Sequence, residues 1–265
     1  MAFALTSPER IVVAVLGLGE AGSRIAADLS AAGAVVRGFD PKVAAGPGIT
    51  GCGSDADASR GAAIVLALTS GHEAKDTLTL ALPGVASGAI YADLNTASAG
   101  LKADLAGVAA SAGISFADVA LMSPVPGNGL RTPMLVSGPA AAGYARALGQ
   151  LGATVEVLPG PAGVASARKL VRSVFYKGLA AAVVESLQAA RAAGCEDWIR
   201  DNIRRELEGF GATALERLEQ GSVQHARRRA EEMAASADLL RELGVPPRIA
   251  AAAEQWLAQL RDEQQ

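Results

Sequence analysis

Three closely spaced glycines follow the first apolar segment of the chain, and their spacing could hold a phosphate. Segment 11–16 is typical of a β-strand, and the next six residues are Gly17, Leu18, Gly19, Glu20, Ala21 and Gly22. Gly17 allows a sharp turn, Gly19 leaves room for an anion beside the backbone, and Gly22 lets the following helix approach the strand. The N–H groups at the start of that helix would face the anion. We therefore predict that residues 17–22 bind a dinucleotide through its pyrophosphate.

A carboxylate ends the second predicted strand, about 20 residues beyond the glycines, where Rossmann folds bind the adenosine ribose. Asp40 could accept hydrogen bonds from the ribose hydroxyls, and its negative charge disfavours a 2′-phosphate. The predicted cofactor is NAD or NADP, with NAD favoured, although the flanking cations Arg37 and Lys42 weaken that preference. The alternative is a β-α-β unit without a ligand, in which Asp40 opens an Asp-Pro turn.

A second group of polar side chains recurs at helical spacing within the predicted helix 162–193. Its members form one stripe, and they are Lys169, Arg172, Ser173, Tyr176 and Lys177. Apolar residues occupy the other faces, so we expect this helix to be buried and the stripe either to line a cleft or to pair with anions. A lysine in a cleft can act as a general acid or base, because burial lowers the pKa of an amine. An ordinary amphipathic helix whose cations reach solvent explains the spacing equally well.

The elements that would position these residues alternate between strand and helix up to about residue 160. Strands are predicted at 11–16, 34–39, 62–68, 88–92, 114–121, 134–137 and 154–158. This alternation predicts an α/β Rossmann domain with a mostly parallel sheet. Ligands bind at the carboxyl ends of such strands. The residues that follow predicted strands there are Thr69, Asn95, Thr96 and Ser123, and we assign Thr69, Asn95 and Thr96 to the cofactor.

The pattern changes at the segment 159–163, which is rich in proline and glycine. Beyond it no strand is predicted, and helices are expected at 162–193, 196–208, 211–220, 222–243 and 247–262. We therefore expect a dinucleotide-binding domain at 1–160 and an all-α domain for substrate binding and dimerisation at 161–265, joined through the long helix. The run 227–229 of arginines is interpreted as a solvated face, and Trp198 and Trp256 as packing anchors.

These motifs together resemble the β-hydroxyacid dehydrogenases, a family that includes 3-hydroxyisobutyrate and 6-phosphogluconate dehydrogenases. Residues 17–22 resemble its G-L-G-x-x-G, and Asp93-Leu-Asn95-Thr96 its D-x-S-T. Residues 118–124 resemble its substrate loop, and 160–169 its glycine-rich element that ends in a lysine. The chain departs from the family at Ser173, where Asn is usual, and at 123–125, where Ser-Gly-Gly is usual. The run 172–178 resembles a less characterised branch with its own helical C-terminal domain.

The resemblance implies an NAD(P)-dependent dehydrogenase that acts on the CH-OH group of a small hydroxy acid, with Lys169 as general acid/base. The residues it implies for substrate binding are Ser123, Arg172, Ser173, Lys177 and Asn95, and Lys177 could share the task of Lys169. Two alternatives stay open, an NADPH-dependent imine reductase and an inactive dinucleotide-binding sensor or scaffold. A homodimer is expected, because in the resembling enzymes helices of a partner subunit complete the cleft.

The composition argues against several other classes of protein. The 265 residues carry a net charge of −3, which gives no reason to expect a nucleic-acid partner. Cys52 and Cys195 are far apart, which fits a reducing compartment, and no residues have the spacing of a metal site, so no metal is expected. The first ten residues do not resemble a signal peptide, and no apolar run could span a bilayer. We therefore expect a cytoplasmic protein without a membrane partner.

Overall fold

The computed structural model describes residues 10–263. The chain divides into two compact units, of which one ends at Arg172 and the other begins at Ser173. This division falls inside a continuous helix, whereas the predicted boundary lay at the preceding hinge, between residues 160 and 161. The prediction that the chain lacks a signal peptide falls on residues 1–9, which lie outside the described residues. Within the described part, no helix is both long and apolar enough to cross a membrane.

One sheet forms the centre of the first unit, and its strands follow the order β3-β2-β1-β4-β5-β6-β7-β8. The strands are β1 Val12–Leu16, β2 Val35–Phe39, β3 Ile49–Gly51, β4 Ile64–Ala67, β5 Ile90–Asp93, β6 Ser115–Leu121, β7 Met134–Ser137 and β8 Val155–Val157. Strands β1 to β6 are parallel, and β7 runs antiparallel to β6. The strand order reverses direction between β1 and β4, which is where Rossmann folds bind dinucleotides. The predicted fold class is confirmed.

Helices cover both faces of this sheet because its central strands are apolar on both sides. The helices are α1 Glu20–Ala31, α2 Asp55–Ser59, α3 Ala74–Ala81, α4 Ala99–Ser111, α5 Ala141–Gln150 and the start of α6 Val164–Ala192. Val13 and Val15 of β1 pack in one core, and Ala14 and Leu16 pack in the other. The sequence did not predict β3 or α2, since runs of three and five residues are too short for a periodic pattern.

The second unit is helical throughout its described residues. It contains the rest of α6, together with α7 Glu196–Glu208, α8 Ala214–Gln224, α9 Ala226–Glu242 and α10 Arg248–Asp262. A small core of Ala237, Leu240 and Ala250 joins α9 and α10. Glu185 of α6 accepts hydrogen bonds at 2.8 Å from the backbone N–H groups of Ile249 and Ala250. This carboxylate therefore supplies partners for N–H groups that the start of α10 leaves unpaired.

Two interpretations of the helical region are wrong, and the one for the arginine run holds only in part. The predicted break at residue 221 does not exist, because α8 continues to Gln224; glycine inside a helix costs only about 1 kcal/mol. Arg229 is half-buried and donates to the Ser222 hydroxyl at 2.8 Å, so not all of the arginine run is solvated. The two predicted anchors, Trp198 and Trp256, are 63% and 60% exposed.

The apolar faces of α6 are also not buried as predicted. Val171, Val174 and Phe175 are 73%, 76% and 53% exposed in this single chain. A run of large apolar side chains that stays in water is unusual for a globular protein, and it marks a candidate interface. The prediction was wrong because periodicity identifies an apolar face without identifying what covers it.

Candidate functional site

The glycine loop between β1 and α1 has the backbone geometry that the sequence predicted. Gly17 has a φ of +91°, and a Cβ there would collide with the carbonyl oxygen of Leu68. A Cβ at Gly22 would collide with the carbonyl oxygen of Gly17, so neither position accepts a side chain. Gly19 differs, because a Cβ there would meet no atom within 4 Å. No side chain of the described residues caps α1, so the N-terminus of α1 offers open space and N–H groups to an anion.

Asp40 follows β2 and binds the same loop. Its Oδ2 accepts a hydrogen bond from the N–H of Leu18 at 2.8 Å, and its Oδ1 accepts from the N–H groups of Lys42 and Val43 at 2.8 and 3.0 Å. Partial burial raises the pKa of Asp40, but these donors outweigh burial and the pKa lies below its ordinary value. A carboxylate has about four acceptor sites, so capacity remains for a ribose hydroxyl.

A groove of about 740 Å³ lies beside Gly17, Gly19 and Asp40. Its lining contains the carboxylates of Asp40, Asp55, Glu73 and Asp76, and Lys42 is the one cation among the described residues that line it. Burial raises the pKa of the Asp55 carboxyl, and the charge of Asp40 raises it further. The groove is therefore rich in acidic groups where an adenosine would bind.

Arg37, which the sequence suggested as a cation near Asp40, binds elsewhere. Its guanidinium donates to the carbonyl oxygens of Asp57 and Ala58 at 2.8 and 3.2 Å and pairs with the Asp57 carboxylate at 3.1 Å. These bonds join β2 to α2. The Arg37 charge is thus already partnered by a carboxylate outside the acidic groove.

The residues predicted after β4 and β5 lie close together at the carboxyl edge of the sheet. Asn95 is only 5% exposed, and its side-chain amide donates to Asp93 Oδ1 at 2.6 Å and to Thr69 Oγ1 at 3.4 Å. Thr96 is exposed, and its hydroxyl accepts a hydrogen bond from Lys169 Nζ at 2.9 Å. The half-buried Lys169 of α6 is therefore held at the end of β5, on the edge of the sheet that carries the glycine loop.

A buried ion cluster lies beneath these residues. Asp93 and Asp118 are register partners on the parallel strands β5 and β6, and both are fully or almost fully buried. Lys102 of α4 is 0% exposed, and its Nζ lies 3.0 Å from Asp93 Oδ2 and 3.3 Å from Asp118 Oδ1. Burial raises the pKa of Asp93, and the ammonium of Lys102 partly offsets that rise. The lysine separates two carboxylates that would otherwise repel each other.

Asp118 also caps the helix that carries Lys169. Its Oδ2 accepts hydrogen bonds from the N–H groups of Gly163 and Ser166 at 2.9 and 3.1 Å. The Ser166 hydroxyl donates to Asp118 Oδ1 at 2.6 Å, and the Ser137 hydroxyl accepts from the N–H of Ala165 at 3.0 Å. A carboxylate at the start of a helix satisfies unpaired N–H groups and complements the helix dipole.

The predicted substrate loop follows β6. The hydroxyl of Ser123 is buried and has no hydrogen-bond partner within the described residues. Arg172 donates to the carbonyl oxygen of Met122 at 3.0 Å. Further along the loop, the N–H of Leu130 donates to Asp28 of α1 at 2.9 Å, which anchors the loop to the helix that follows the glycines.

One unit thus brings together most of the predicted site, namely residues 17–22, Asp40, Thr69, Asn95, Thr96, Ser123, Lys169 and Arg172. Ser173 and Lys177 belong to the second unit, where Ser173 is half-buried and Lys177 is exposed. Sequence reasoning missed Lys102. The indication was available, because Lys102 shares the buried face of α4 with Leu105 and Ala109 at helical spacing, and a cation at a core position requires a buried anion.

The glycine loop, the switch in strand order and the ribose-side carboxylate define a dinucleotide-binding α/β protein. The chain belongs to the family of the NAD binding domain of 6-phosphogluconate dehydrogenase, whose model matches residues 12–156. A domain of unknown function, DUF1932, matches residues 190–260. These matches confirm the predicted resemblance and the predicted dinucleotide cofactor, and they assign the chain to an oxidoreductase family. None of the curated proteins compared with the chain matches it.

Solved structures agree with this family. A conserved hypothetical protein from Sinorhizobium meliloti is 29% identical, with a TM-score of 0.62 over 95% of this chain and 88% of its own. The protein MTH1747, described as similar to 3-hydroxyacid dehydrogenases, is 28% identical, with a TM-score of 0.58 over 95% of this chain and 97% of its own. An imine reductase from Myxococcus stipitatus in complex with NADP+ shares the fold. It is 19% identical, with a TM-score of 0.79 over 95% of this chain and 94% of its own. A variant of that reductase in complex with NAD+ is 18% identical, with a TM-score of 0.77 over 96% of this chain and 94% of its own.

Proposed function

We propose that this protein is an NAD-dependent dehydrogenase that oxidises a small hydroxy acid, with Lys169 as the general acid/base. The observation that carries the proposal is the position of the Lys169 ammonium, 2.9 Å from the Thr96 hydroxyl at the carboxyl end of β5. Parallel sheets bind ligands at this edge, and the glycine loop after β1 lies on it. The lysine and the glycine loop therefore lie at the same edge of the sheet, the one formed by the carboxyl ends of the strands.

In this proposal the chain holds the cofactor with residues 17–22 and Asp40, and a bound nicotinamide supplies the hydride chemistry. Thr69, Asn95 and Thr96 form the wall beside the nicotinamide, with Asn95 ordering the turn and Thr96 exposed. Lys169, as the neutral amine, accepts the proton of the substrate hydroxyl during oxidation, and as the ammonium it donates a proton during reduction. Thr96 holds the amine of Lys169 in place between turnovers.

Substrate binding is proposed for Ser123 and Arg172, with Ser173 and Lys177 completing the polar stripe of α6. The Ser123 hydroxyl is the polar atom of the loop that lacks a partner within the described residues, so it can donate to a carboxylate once the loop admits a substrate. The guanidinium of Arg172 supplies positive charge beside that loop, and arginine binds carboxylates in a bidentate manner.

The preference for NAD is proposed from the acidic groove. A 2′-phosphate would lie among the carboxylates of Asp40, Asp55, Glu73 and Asp76, with Lys42 as the cation of the lining. Like charges at an interface disfavour binding. We expect NADH to bind at least about tenfold more tightly than NADPH, which corresponds to about 1.4 kcal/mol. Fluorescence titration measures both dissociation constants, and equal or reversed affinities would contradict the preference.

A homodimer is proposed because α6 leaves large apolar side chains in water. Val171, Val174 and Phe175 lie on one face of the helix, and they are 73%, 76% and 53% exposed. A second copy of the chain would cover this face, since symmetric dimers are the commonest soluble oligomers. The dimer would also allow helices of a partner to complete the cleft beside the polar stripe.

The reaction is tested by a screen of C3 to C6 hydroxy acids with NAD+ and NADP+, followed by Lys169→Ala. The variant should lose at least about 100-fold in turnover, the low end of a general acid/base contribution, while NADH binding stays intact. The matched control is Lys75→Ala, which changes an exposed lysine of α3. Near-normal turnover of Lys169→Ala would refute its proposed role.

Two other outcomes of the screen would replace this proposal. Reduction of cyclic imines with NADPH, without activity on any hydroxy acid, would favour an imine reductase such as the structural relative described above. Tight cofactor binding without turnover of any acid or imine would favour a sensor or scaffold, which the substitution of the usual Asn by Ser173 would then explain.

A further inference from the structure

Lys102 is a buried cation that the proposed chemistry does not use. It lies on the core face of α4 with Leu105 and Ala109, and no part of its side chain reaches solvent. A buried ammonium is costly unless anions and hydrogen-bond acceptors surround it. Its partners therefore indicate why a lysine occupies this position.

The first partner is Asp93, at the end of β5. Lys102 Nζ donates to the Asp93 carbonyl oxygen at 2.7 Å and lies 3.0 Å from Oδ2. The other carboxylate oxygen, Oδ1, accepts from the backbone N–H of Asn95 at 3.2 Å and from its side-chain amide at 2.6 Å. The conformation of the turn that ends at Thr96 thus depends on the position of Asp93.

The second partner is Asp118, at the neighbouring register position of β6. Lys102 Nζ lies 3.3 Å from Asp118 Oδ1, and Oδ2 accepts from the N–H groups of Gly163 and Ser166. These donors form the start of α6, and Lys169 follows Ser166 by about one helical turn. The position of Lys169 therefore depends on Asp118.

We propose that Lys102 is a positioning residue, which fixes Lys169 against Thr96 by holding the carboxylates that anchor each of them. Without its ammonium, two buried carboxylates would face each other on adjacent strands. The start of α6 and the turn after β5 would then shift apart, and the Lys169–Thr96 hydrogen bond would lengthen. The effect of Lys102 on catalysis rests on the proposed function of Lys169. Its effect on the position of Lys169 can be measured without any substrate.

The geometric content is testable by NMR because the chain has five lysines. Reductive methylation with 13C-formaldehyde labels accessible amines and keeps their charge, and Lys169→Arg assigns the Lys169 signal. In the unmutated protein this signal should differ from those of the exposed Lys75 and Lys42. In Lys102→Met it should move toward them, while the other lysine signals stay in place.

Lys75→Met is the matched control, since it makes the same change at an exposed position. A folded Lys102→Met variant whose Lys169 signal stays at its original position would overturn the proposal, as would a shift of all lysine signals together. If Lys102→Met does not fold, the double variant Asp93→Asn/Lys102→Met replaces it, because it leaves one buried carboxylate without its cation instead of two. The Lys169 signal should then move in the same direction relative to Asp93→Asn alone, and no movement would overturn the proposal.

Kinetics provide the second readout once a substrate is known. Lys102→Met should lower kcat by roughly 10- to 100-fold, the cost of a misplaced catalytic group, while the NADH dissociation constant changes far less, because residues 17–22 and Asp40 stay in place. Lys102→Arg keeps the charge and should recover part of the loss. Unchanged kcat in folded Lys102→Met would overturn the proposal. If no substrate is found, the hydroxy acid proposal fails, whereas the NMR measurement still decides whether Lys102 positions Lys169.

Discussion

The first unit buries its largest aromatic side chains, whereas the aromatic side chains of the second unit lie largely in water. Phe116 and Tyr144 are 0% exposed in the first unit, and Trp198 and Trp256 are 63% and 60% exposed in the second. The charges differ in the same way, because Lys102 of the first unit has no exposed surface, while Arg191 and Arg200 of the second unit, which pair with Glu196, are 66% and 48% exposed. The first unit therefore buries its large aromatic side chains within itself, and the second leaves an apolar surface that the proposed dimer would cover.

The largest effect should come from the core of the first unit. Phe116 of β6 is fully buried and stacks on Tyr91 with a ring separation of 6.1 Å. Phe116→Ala should destabilise this unit by about 3 to 5 kcal/mol, because it removes transfer energy and leaves a cavity. Native-state hydrogen exchange of the β5 and β6 amides measures the loss for this unit alone.

The matched control for this prediction is Leu80→Ala on α3, whose side chain is 60% exposed. It should change stability by no more than about 0.5 kcal/mol, as is usual for surface positions. Equal effects of the two substitutions would mean that the first unit does not depend on its interior as described.

A smaller effect is expected where the second unit is exposed. Val174→Asp places a charge on the apolar face of α6 and should weaken the proposed dimer by about 2 kcal/mol, or roughly 30-fold in dissociation constant. Sedimentation velocity over a range of concentrations measures this change. Val157→Asp, at a 45% exposed position of the first unit, is the control and should leave association unchanged.

Two outcomes would break the comparison between the units. A protein that is monomeric at all concentrations would show that α6 keeps its apolar face in water without a second copy. Dissociation by Val157→Asp instead of Val174→Asp would place the interface on the first unit.

The same difference explains which features the sequence could predict. The glycine loop and Asp40 were predicted from local spacing and because parallel strands end at a common edge, whereas Lys169 was predicted from the resemblance of 160–169 to a family element that ends in a lysine. Lys102 was not identified, since its meaning depends on Asp93 and Asp118, which only the register of β5 and β6 brings together. The burial of Val174 was predicted wrongly because an apolar helix face looks the same in sequence whether its own chain or another covers it.

The smallest effect concerns how the second unit joins α6 to α7 by charges at its surface. Arg191 makes two hydrogen bonds of 2.9 Å to the Glu196 carboxylate, and Arg200 makes a third of 2.6 Å. These bonds lower the pKa of Glu196 from 4.5 to about 2. Because the folded pKa is depressed, the stabilisation is complete above about pH 4.5 and is lost as the pH falls toward 2. Buried Lys102 should instead stabilise the first unit through contacts that solvent does not screen.

Glu196→Gln should therefore lower the melting temperature at pH 7 by no more than about 3 °C, since exposed ion pairs contribute little. The difference from the unmutated protein should shrink as the pH falls below 4.5, and it should also shrink in high salt because solvent ions screen the pair. Thermal melts between pH 3 and pH 7 measure it, with Glu216→Gln on α8 as the control. A difference at pH 3 as large as that at pH 7 would mean that Glu196 acts through its shape and hydrogen bonds, and the second unit would then resemble the first in depending on fixed polar geometry.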